Sequence, residues 1–237
     1  MDMNPNPQTE FKVILGSSSV ARRKILADMG YDFIPMSADI DERAIRKEKP
    51  EELVMALAEA KADAIISKLQ TIESPENDAK STIVITSDTA EAITSKLPVD
   101  QYKTNAEPTL LITCDQVVVY EGTIREKPSS KEEARKFLKG YSGGRAATVS
   151  SVLVTNLKSG FRRGEWDKVE IHFLEIPEQV IDSLIEEGIV LNVAGGLIIE
   201  HPLILPYVKE VVGATDSVMG LPKALTERLI QEALQNA

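Results

Sequence analysis

The stretch FKVILGSSSVARRKILADMG, residues 11–30, has the pattern of a strand, a turn and a helix in direct succession. The apolar run of residues 11–15 predicts the strand. Ser17 or Ser18 can cap the helix at its N-terminus, and Gly30 stands where a glycine often follows the last helical turn. A strand that leads into a helix in this way is typical of α/β proteins.

The rest of the chain continues with helices and strands, and antiparallel strands come late. Pro50 and Pro177 stand at first helical positions. Ser130 and Glu133 form the pattern of a capping box. The predicted strands are residues 33–37, 109–120, 146–156, 168–174 and 207–212, and the predicted helices are residues 50–69, 130–139, 177–187 and 222–235. This order predicts one α/β domain over residues 11–235 with a mixed sheet.

Two segments fall outside this pattern. Residues 1–10 are polar and are expected to form a flexible tail. Residues 74–108 are expected to be a loop insertion, either a surface excursion or a cover over the functional site. Within this insertion, residues 82–93 weakly repeat residues 109–120, which favours two similar buried strands. In this repeat, Asp88-Thr89 of the insertion corresponds to Asp115-Gln116 of residues 109–120.

The composition excludes several kinds of protein and site. The chain has 237 residues, with 27 Lys and Arg against 37 Asp and Glu, and a formal net charge of −10. It therefore lacks the basic field of a general nucleic-acid binder. Because Cys114 is the one cysteine, neither an intrachain disulfide nor a cysteine-based zinc site can form. The two histidines exclude a three-histidine metal centre, and we interpret His172 as structural and His201 as a surface residue.

The sequence also gives an expectation about the compartment. No apolar run approaches the roughly 20 residues that a helix needs to span a bilayer. The N-terminal residues have neither the basic nor the apolar region of a secretory signal. We therefore expect a cytoplasmic protein without a membrane partner.

The turn after the first strand has the residues of an anion site. Ser17, Ser18 and Ser19 stand at a helix start, and Arg22 and Arg23 follow within one helical turn. Free backbone N–H groups, hydroxyls and guanidinium groups together suit a phosphate. The stretch is not a Walker loop, since the pattern G-x-x-x-x-G-K-[ST] is absent. Serine-rich helix caps and solvated arginine pairs are common, so the signal alone leaves a plain surface turn open.

Acidic and basic side chains elsewhere in the chain add the groups that a reaction at a phosphate would need. Asp41-Glu42 follows one short strand and Asp115 ends an apolar one, and carboxylates at strand ends can hold Mg²⁺ or instead serve as turn or N-cap residues. Lys61 falls on the apolar stripe of the helix over residues 50–69, so it either extends to the helix edge or points into a cleft. Lys127 follows Asp115 by twelve residues. Together these residues favour metal-assisted phosphoanhydride chemistry over a histidine-dependent acyl transfer.

The order of these motifs resembles that of the Maf family of nucleoside triphosphate pyrophosphatases. The resemblance covers about residues 12–234, apart from the insertion, and its motifs occur in the family's order and spacing. They are Ser17-x-Ser19-x-x-Arg22, Asp41-Glu42, Lys61-Ala62, Asp115-Gln116, Lys127-Pro128, Ala194-Gly195-Gly196 and Met219-Gly220-Leu221-Pro222.

The resemblance implies a fold, a reaction and a set of site residues. The fold is an elongated mixed sheet flanked by helices around a deep cleft, often in a homodimer. The reaction is hydrolysis of a nucleoside triphosphate between the α- and β-phosphates, with Mg²⁺ or Mn²⁺ as cofactor, which clears modified or non-standard nucleotides. The implied roles are phosphate binding by Ser17, Ser19 and Arg22, metal binding by Glu42 and Asp115, charge neutralisation by Lys61 and Lys127, and proton acceptance by Asp115.

The branch of the family bears on the substrate. One branch has Asp-Thr on the catalytic strand and prefers dTTP and UTP, whereas another has Asp-Gln with a downstream glutamate and prefers 7-methyl-GTP. Asp115-Gln116 and Glu200 resemble the second branch. Val20-Ala21 departs from it, because that branch commonly has Pro-Trp there, and Ala21 offers no stacking surface. We therefore predict base specificity at Ala21, Gln116 and Glu200, with 7-methyl-GTP as substrate. The alternatives are a dTTP/UTP pyrophosphatase or a nucleotide-binding regulator of cell division without turnover.

Overall fold

A computed structural model describes residues 11–71 and 107–236 of the protein, and its sheet is built around the strand β3. The strand order is β2-β1-β3-β5-β6-β7, and β4 pairs with β3 outside this row. The strands are β1 Lys12–Gly16, β2 Ile34–Pro35, β3 Thr109–Tyr120, β4 Thr123–Arg125, β5 Arg145–Asn156, β6 Arg162–Phe173 and β7 Val208–Val212. Pairing is parallel from β2 through β1 to β3 and antiparallel elsewhere, which confirms the predicted mixed sheet.

Helices cover the two faces of this sheet. The α-helices are α1 Val20–Asp28, α2 Pro50–Thr71, α3 Lys131–Tyr141, α4 Glu178–Glu187, α5 Thr215–Val218 and α6 Lys223–Gln235. Short 3-10 helices lie at Glu42–Ala44, Ile189–Asn192, Ala194–Gly196 and Leu205–Tyr207. The helices and strands of the described ranges therefore confirm the α/β class.

Alternation along the strands decides which helix meets which face. In β1, Val13 and Leu15 pack in one buried cluster with the α1 and α6 side chains, whereas Ile14 packs in another with the α2 side chains. This is the two-residue period of a strand that is buried on both faces. Helix α2 thus lies across one face of the central strands, and α1 and α6 lie across the other.

A further apolar cluster closes the other end of the sheet. Val118 on β3 packs there with Leu138 and Tyr141 of α3 and with Ile181 of α4. The loop that carries Ala194–Gly196 joins the same cluster. The far end of β3 is therefore enclosed by α3, α4 and this loop.

Several element ends differ from the sequence expectation, and two of these differences have a clear physical cause. Ser19, rather than Ser17 or Ser18, caps α1, because the Ser17 hydroxyl accepts hydrogen bonds from the Ser19 amide and from Arg22 instead. Strand β6 begins at Arg162, six residues before its predicted start, since the polar stretch 162–167 completes the antiparallel ladder with β5. Polar side chains are tolerated there because much of that stretch is solvent-exposed.

Several expectations lie outside the described residues. They are the tail over residues 1–10, the repeat over residues 82–93, the Asp88-Thr89 pair and almost all of the insertion. The single domain over residues 11–235 stays a prediction. Across residues 11–71 and 107–236, every helix falls short of the length and apolar character that a membrane span requires.

Candidate active site

The β1–α1 turn orders a serine and an arginine at the N-terminus of α1. The Ser19 hydroxyl accepts a hydrogen bond from the Arg22 amide at 3.4 Å and so caps the helix. The buried Ser17 hydroxyl accepts from the Ser19 amide at 3.2 Å and from Arg22 Nη1 at 3.4 Å. The first turn of α1 therefore presents hydroxyls, amide groups and a guanidinium at one place.

The Arg22 guanidinium is held by segments from across the chain. Its Nε donates to the Gly220 carbonyl at 2.9 Å, and its Nη1 donates to the Cys114 carbonyl at 3.3 Å. Gly220 has a φ of 100°, and a Cβ atom at this position would lie 3.1 Å from Arg22 Nε. A glycine is therefore needed both for the backbone conformation and for the close approach of Arg22.

Asp115 lies on β3 directly after Cys114, with its carboxylate on the face that α2 covers. Its amide donates to the Ser151 hydroxyl at 3.1 Å, and Ser151 in turn donates to the Val54 carbonyl of α2 at 2.7 Å. Asp115 pairs with Ser151 across the β3–β5 ladder and is only 7% exposed. The carboxylate is thus fixed at the junction of two strands and a helix.

Lys61 joins the two predicted metal ligands. Its Nζ lies 2.5 Å from Asp115 Oδ1 and 2.8 Å from Glu42 Oε1, and the residue is 9% exposed. Of the two orientations that the sequence left open for Lys61, the structure has the one that points toward the carboxylates. Asp41 has a different part, since its side chain accepts from the Arg43 amide and caps the 3-10 helix that carries Glu42.

The charges around Glu42 lower its pKa. Burial raises the pKa of this carboxyl, but the hydrogen bond and charge of Lys61 lower it, and the neighbouring cations together outweigh burial. The charges of Lys127 and Arg22 act in the same direction. Glu42 is therefore surrounded by three cations from α1, α2 and the segment after β4. In an acidic chain, this is the local concentration of positive charge that a polyphosphate requires.

The carboxylate pair fits a hard divalent cation that is shared with a substrate. The Lys61 ammonium already lies between Glu42 and Asp115, so this position favours a cation. Within residues 11–71 and 107–236, no group of three or more His, Cys, Asp or Glu residues could hold a metal ion by itself. Mg²⁺ commonly takes one or two carboxylates, with waters and substrate phosphates as the remaining ligands. The donor set suits that arrangement rather than a cage made of protein ligands alone.

Gln116 binds the segment that holds Arg22. Its Nε2 lies 2.7 Å from the Val218 carbonyl, 2.9 Å from the Ser150 hydroxyl and 3.1 Å from the Ser217 carbonyl. The amide group thus ties β3 to α5, directly before Gly220. The predicted role of Gln116 as a base reader stays a prediction, and its amide donors already have protein acceptors.

Of the other two predicted specificity residues, Ala21 adjoins this cluster and Glu200 does not. Ala21 is half-buried in the first turn of α1, one residue before Arg22. Glu200 lies in an exposed turn, next to the buried Ile199 that packs near Val118 of β3. Among the described residues, no hydrogen bond or ion pair links Glu200 to Glu42, Lys61 or Asp115. The structure thus brings together the phosphate, metal and proton-transfer candidates, with Ala21 and Gln116 adjacent to them in the chain, but it does not link Glu200 to them.

The histidines lie outside the site, and one of them differs from the prediction. His172 lies on β6 as expected, with its Nε2 at 2.7 Å from Glu170. His201 lies in a loop, but its side chain is only 15% exposed and its Nε2 lies 3.0 Å from Glu187. The predicted surface residue is therefore only partly exposed, because Glu187 and the Leu203 amide, which donates to His201 Nδ1, hold the ring against the protein.

Sequence reasoning missed the residues that support the site from behind. Ser150 and Ser151 are buried next to each other on β5, where they bind Gln116 and the Asp115 amide. Two adjacent serines within the apolar run of residues 146–156 are a signal that could have found them. The carbonyls of Cys114 and Gly220 gave no such signal, since a backbone acceptor is independent of residue type.

The fold and this cluster define an α/β protein with serine hydroxyls and an arginine at a helix N-terminus, beside a pair of carboxylates bridged by a lysine. The chain belongs to the Maf-like protein family, whose model matches residues 12–233. This match confirms the family resemblance that the order of motifs indicated.

Relatives within the family carry pyrophosphatase names. The chain is 35% identical to the 7-methyl-GTP pyrophosphatase of Dictyostelium discoideum over 96% of this chain and 100% of the relative. It is 28% identical to the dTTP/UTP pyrophosphatase of Agathobacter rectalis, over 93% of this chain and 95% of the relative. It is 27% identical to a nucleoside triphosphate pyrophosphatase of Chlamydia muridarum, over 93% of each chain.

Proposed function

We propose that the protein is a metal-dependent pyrophosphatase that converts a nucleoside triphosphate to the monophosphate and pyrophosphate, with 7-methyl-GTP as its substrate. The observation that carries the proposal is the Lys61 bridge between Glu42 and Asp115, next to the anion-binding turn of α1. The names of the relatives support the reaction class. The greater identity to the 7-methyl-GTP pyrophosphatase supports the base.

The first turn of α1 and two lysines bind the substrate phosphates. Ser17 and Ser19 present hydroxyls beside the free amide groups of the helix N-terminus. Arg22 is held in place by two backbone carbonyls, so its charge is positioned before a substrate binds. Lys127 is exposed and can reach the phosphate chain from solvent. Preorganised positive charge of this kind lowers the barrier of phosphoryl transfer.

Glu42 and Asp115 are the residues that would hold Mg²⁺ or Mn²⁺ together with the substrate phosphates. A bound divalent cation supplies positive charge that neutralises the phosphate oxygens. Glu42 suits this part because the surrounding cations keep its pKa low, so it is ionised at neutral pH. Lys61 holds both carboxylates at the same place.

Hydrolysis needs a proton acceptor next to the α-phosphorus. A water molecule forms a new bond to this phosphorus, and Asp115 accepts a proton from the water. The bond between the α-phosphorus and the bridging oxygen breaks, and pyrophosphate leaves with the bonding electrons. Lys61 and Lys127 neutralise the charge that grows on the leaving group. The products are a nucleoside monophosphate and pyrophosphate.

The proposed base preference rests on Glu200. A carboxylate can accept hydrogen bonds from both N1–H and the 2-amino group of guanine, and its charge attracts the cationic ring of 7-methylguanine. Glu200 is exposed and therefore accessible to a base. Ala21 leaves space beside Arg22 rather than a stacking surface. The homodimer that the family resemblance implies stays a prediction.

A substrate panel tests this preference. Pyrophosphate release is measured with Mg²⁺ or Mn²⁺ for 7-methyl-GTP, GTP, ATP, CTP, UTP and dTTP. We expect 7-methyl-GTP to give a kcat/KM at least about tenfold above the others, a difference of about 1.4 kcal/mol. Glu200→Gln should remove most of this preference and leave turnover of UTP unchanged.

Glu210→Gln, which changes an exposed glutamate on β7, is the matched control and should keep the preference. A preference for UTP or dTTP in the unaltered protein would contradict the 7-methyl-GTP assignment and leave the reaction class intact. Tight nucleotide binding without any metal-dependent product would instead indicate a regulator without turnover.

A further inference from the structure

Arg125, the last residue of β4, is a buried cation enclosed by aromatic rings. It is 9% exposed, and its Cζ lies 4.0 Å from the ring centre of Tyr120, 4.6 Å from that of Phe137 and 4.9 Å from that of Tyr141. None of the ion pairs found among the described residues includes Arg125. The aromatic faces therefore provide the stabilisation that a carboxylate would normally give to a buried guanidinium.

The guanidinium also binds the last turns of α3. Arg125 Nη1 donates to the Phe137 carbonyl at 3.1 Å. A Cβ atom on Gly140 would lie 3.1 Å from Arg125 Nη2, so the helix surface is shaped to admit the planar group. One side chain thus connects β4 to α3, the helix that follows it in the chain.

A second set of contacts connects the same helix to the residue after Arg125. The Tyr141 hydroxyl donates to the Gly195 carbonyl at 2.8 Å, and the Gly195 amide donates to the Glu126 carbonyl at 2.8 Å. Gly195 has a φ of 60°, and a Cβ atom there would lie 2.5 Å from Val118 Cβ. The backbone of Glu126 is therefore bound to a loop that packs closely against Val118 of the sheet.

The contacts of Arg125 and of the Glu126 backbone hold the chain next to Lys127, and the Lys127 side chain takes no part in them. Arg125 and Pro128 are buried on either side of it, whereas Lys127 itself is exposed. Strand β4 has three residues and pairs with β3 alone, so its ladder gives this segment little support. The side chain of Arg125 gives the segment that carries the lysine a further attachment, to α3 and its aromatic rings.

We propose that Arg125 is a positioning residue for Lys127: its aromatic enclosure fixes the segment that presents the lysine ammonium to the substrate phosphates. The inference rests on the proposed function, since it assigns Lys127 to phosphate neutralisation. It follows from the steep dependence of catalysis on the placement of charged groups, where a shift of about 1 Å can reduce the rate about 100-fold.

Two substitutions separate the features of Arg125 that matter. Arg125→Met keeps an apolar side chain of similar length and removes the charge and the planar donor group. We expect kcat/KM to fall about 10- to 100-fold. Arg125→Lys keeps the charge but loses the planar stacking, and should give a smaller loss. Arg145→Met, at an arginine with a 70% exposed side chain, is the matched control and should change kcat/KM less than twofold.

A double-mutant cycle tests whether the effect passes through Lys127. The substitution Arg125→Met is made in the unaltered protein and in Lys127→Met, and kcat/KM is measured in all four proteins. We expect Arg125→Met to have less than a twofold effect once Lys127 is absent. An equal loss in both backgrounds would overturn the proposal, as would an unchanged kcat/KM in the unaltered background.

Hydrogen exchange gives a readout that does not depend on turnover. In Arg125→Met, the amides of residues 123–127 should exchange at least about tenfold faster, while those of α6 keep their rates. Equal exchange rates in residues 123–127 would overturn the proposal even if activity fell. If the unaltered protein showed no turnover, the proposed function would fail, and the exchange experiment would still decide whether Arg125 fixes this segment.

Discussion

Asp115→Asn is expected to reduce kcat about 10²- to 10⁴-fold, the usual contribution of a general base. Asparagine has nearly the same shape but cannot accept the proton of the attacking water. The backbone bond from residue 115 to Ser151 is independent of the side chain and should persist. The measurement is pyrophosphate release at saturating substrate, together with the thermal midpoint of the variant.

Asp41→Asn is the matched control for this substitution. Asp41 caps the 3-10 helix that carries Glu42, and asparagine caps as well as aspartate. The control should therefore keep kcat within about twofold of the unaltered protein. If Asp115→Asn retained more than a tenth of the activity, Asp115 would not be the proton acceptor.

Lys61→Met should impair both activity and stability. Removing one member of a buried ion pair leaves an uncompensated charge and typically costs about 3–5 kcal/mol. Lys61 is the shared partner of Glu42 and Asp115, so both carboxylates lose their counterion. We expect kcat to fall more than about 100-fold, and the free energy of unfolding to fall measurably in urea titrations.

The pH dependence of Lys61→Met gives a sharper test. Lys61 is the main group that lowers the pKa of Glu42 against the effect of burial, so its loss should raise that pKa. A lowered pKa in the folded state stabilises the protein above the ordinary glutamate value of about 4.3, and this contribution disappears as the pH falls. The stability difference between the two proteins should therefore narrow below about pH 4.

A double substitution distinguishes the loss of charge compensation from the loss of the proton acceptor. In Lys61→Met with Asp115→Asn, one uncompensated carboxylate is gone, so part of the lost stability should return while activity stays absent. If Lys61→Met instead unfolded at the same urea concentration as the unaltered protein, Lys61 would not neutralise the carboxylate pair.

Much of the fold could be predicted because local sequence patterns determined it. The strand Thr109–Tyr120 has the predicted bounds, since its mostly apolar residues on both sides of Asp115-Gln116 are followed by a Glu121-Gly122 turn. Helix α2 begins at Pro50 as expected. Strand β6 was predicted too short, because residues 162–167 are polar and are held by backbone pairing with β5 rather than by burial. A pattern of side chains cannot reveal such pairing.

The site was predictable as a set of residues but not as a set of contacts. The motifs identified Lys61 and Asp115, yet the short bridge between them joins residues 54 positions apart. Arg22 binds Gly220 across 198 positions. The aromatic enclosure of Arg125 had no sequence signal, because an arginine beside Glu126 and Lys127 has the pattern of a solvated turn. Long-range geometry of this kind comes only from the packed structure.

The most direct test of the proposed reaction is the identity of its products. The unaltered protein is incubated with 7-methyl-GTP and Mg²⁺ in water enriched in ¹⁸O. The products are then separated, and their masses are measured by mass spectrometry. We expect one 7-methyl-GMP for each pyrophosphate, with the label in the monophosphate, since the water attacks the α-phosphorus. A diphosphate with labelled inorganic phosphate, or no product from any nucleoside triphosphate, would contradict it.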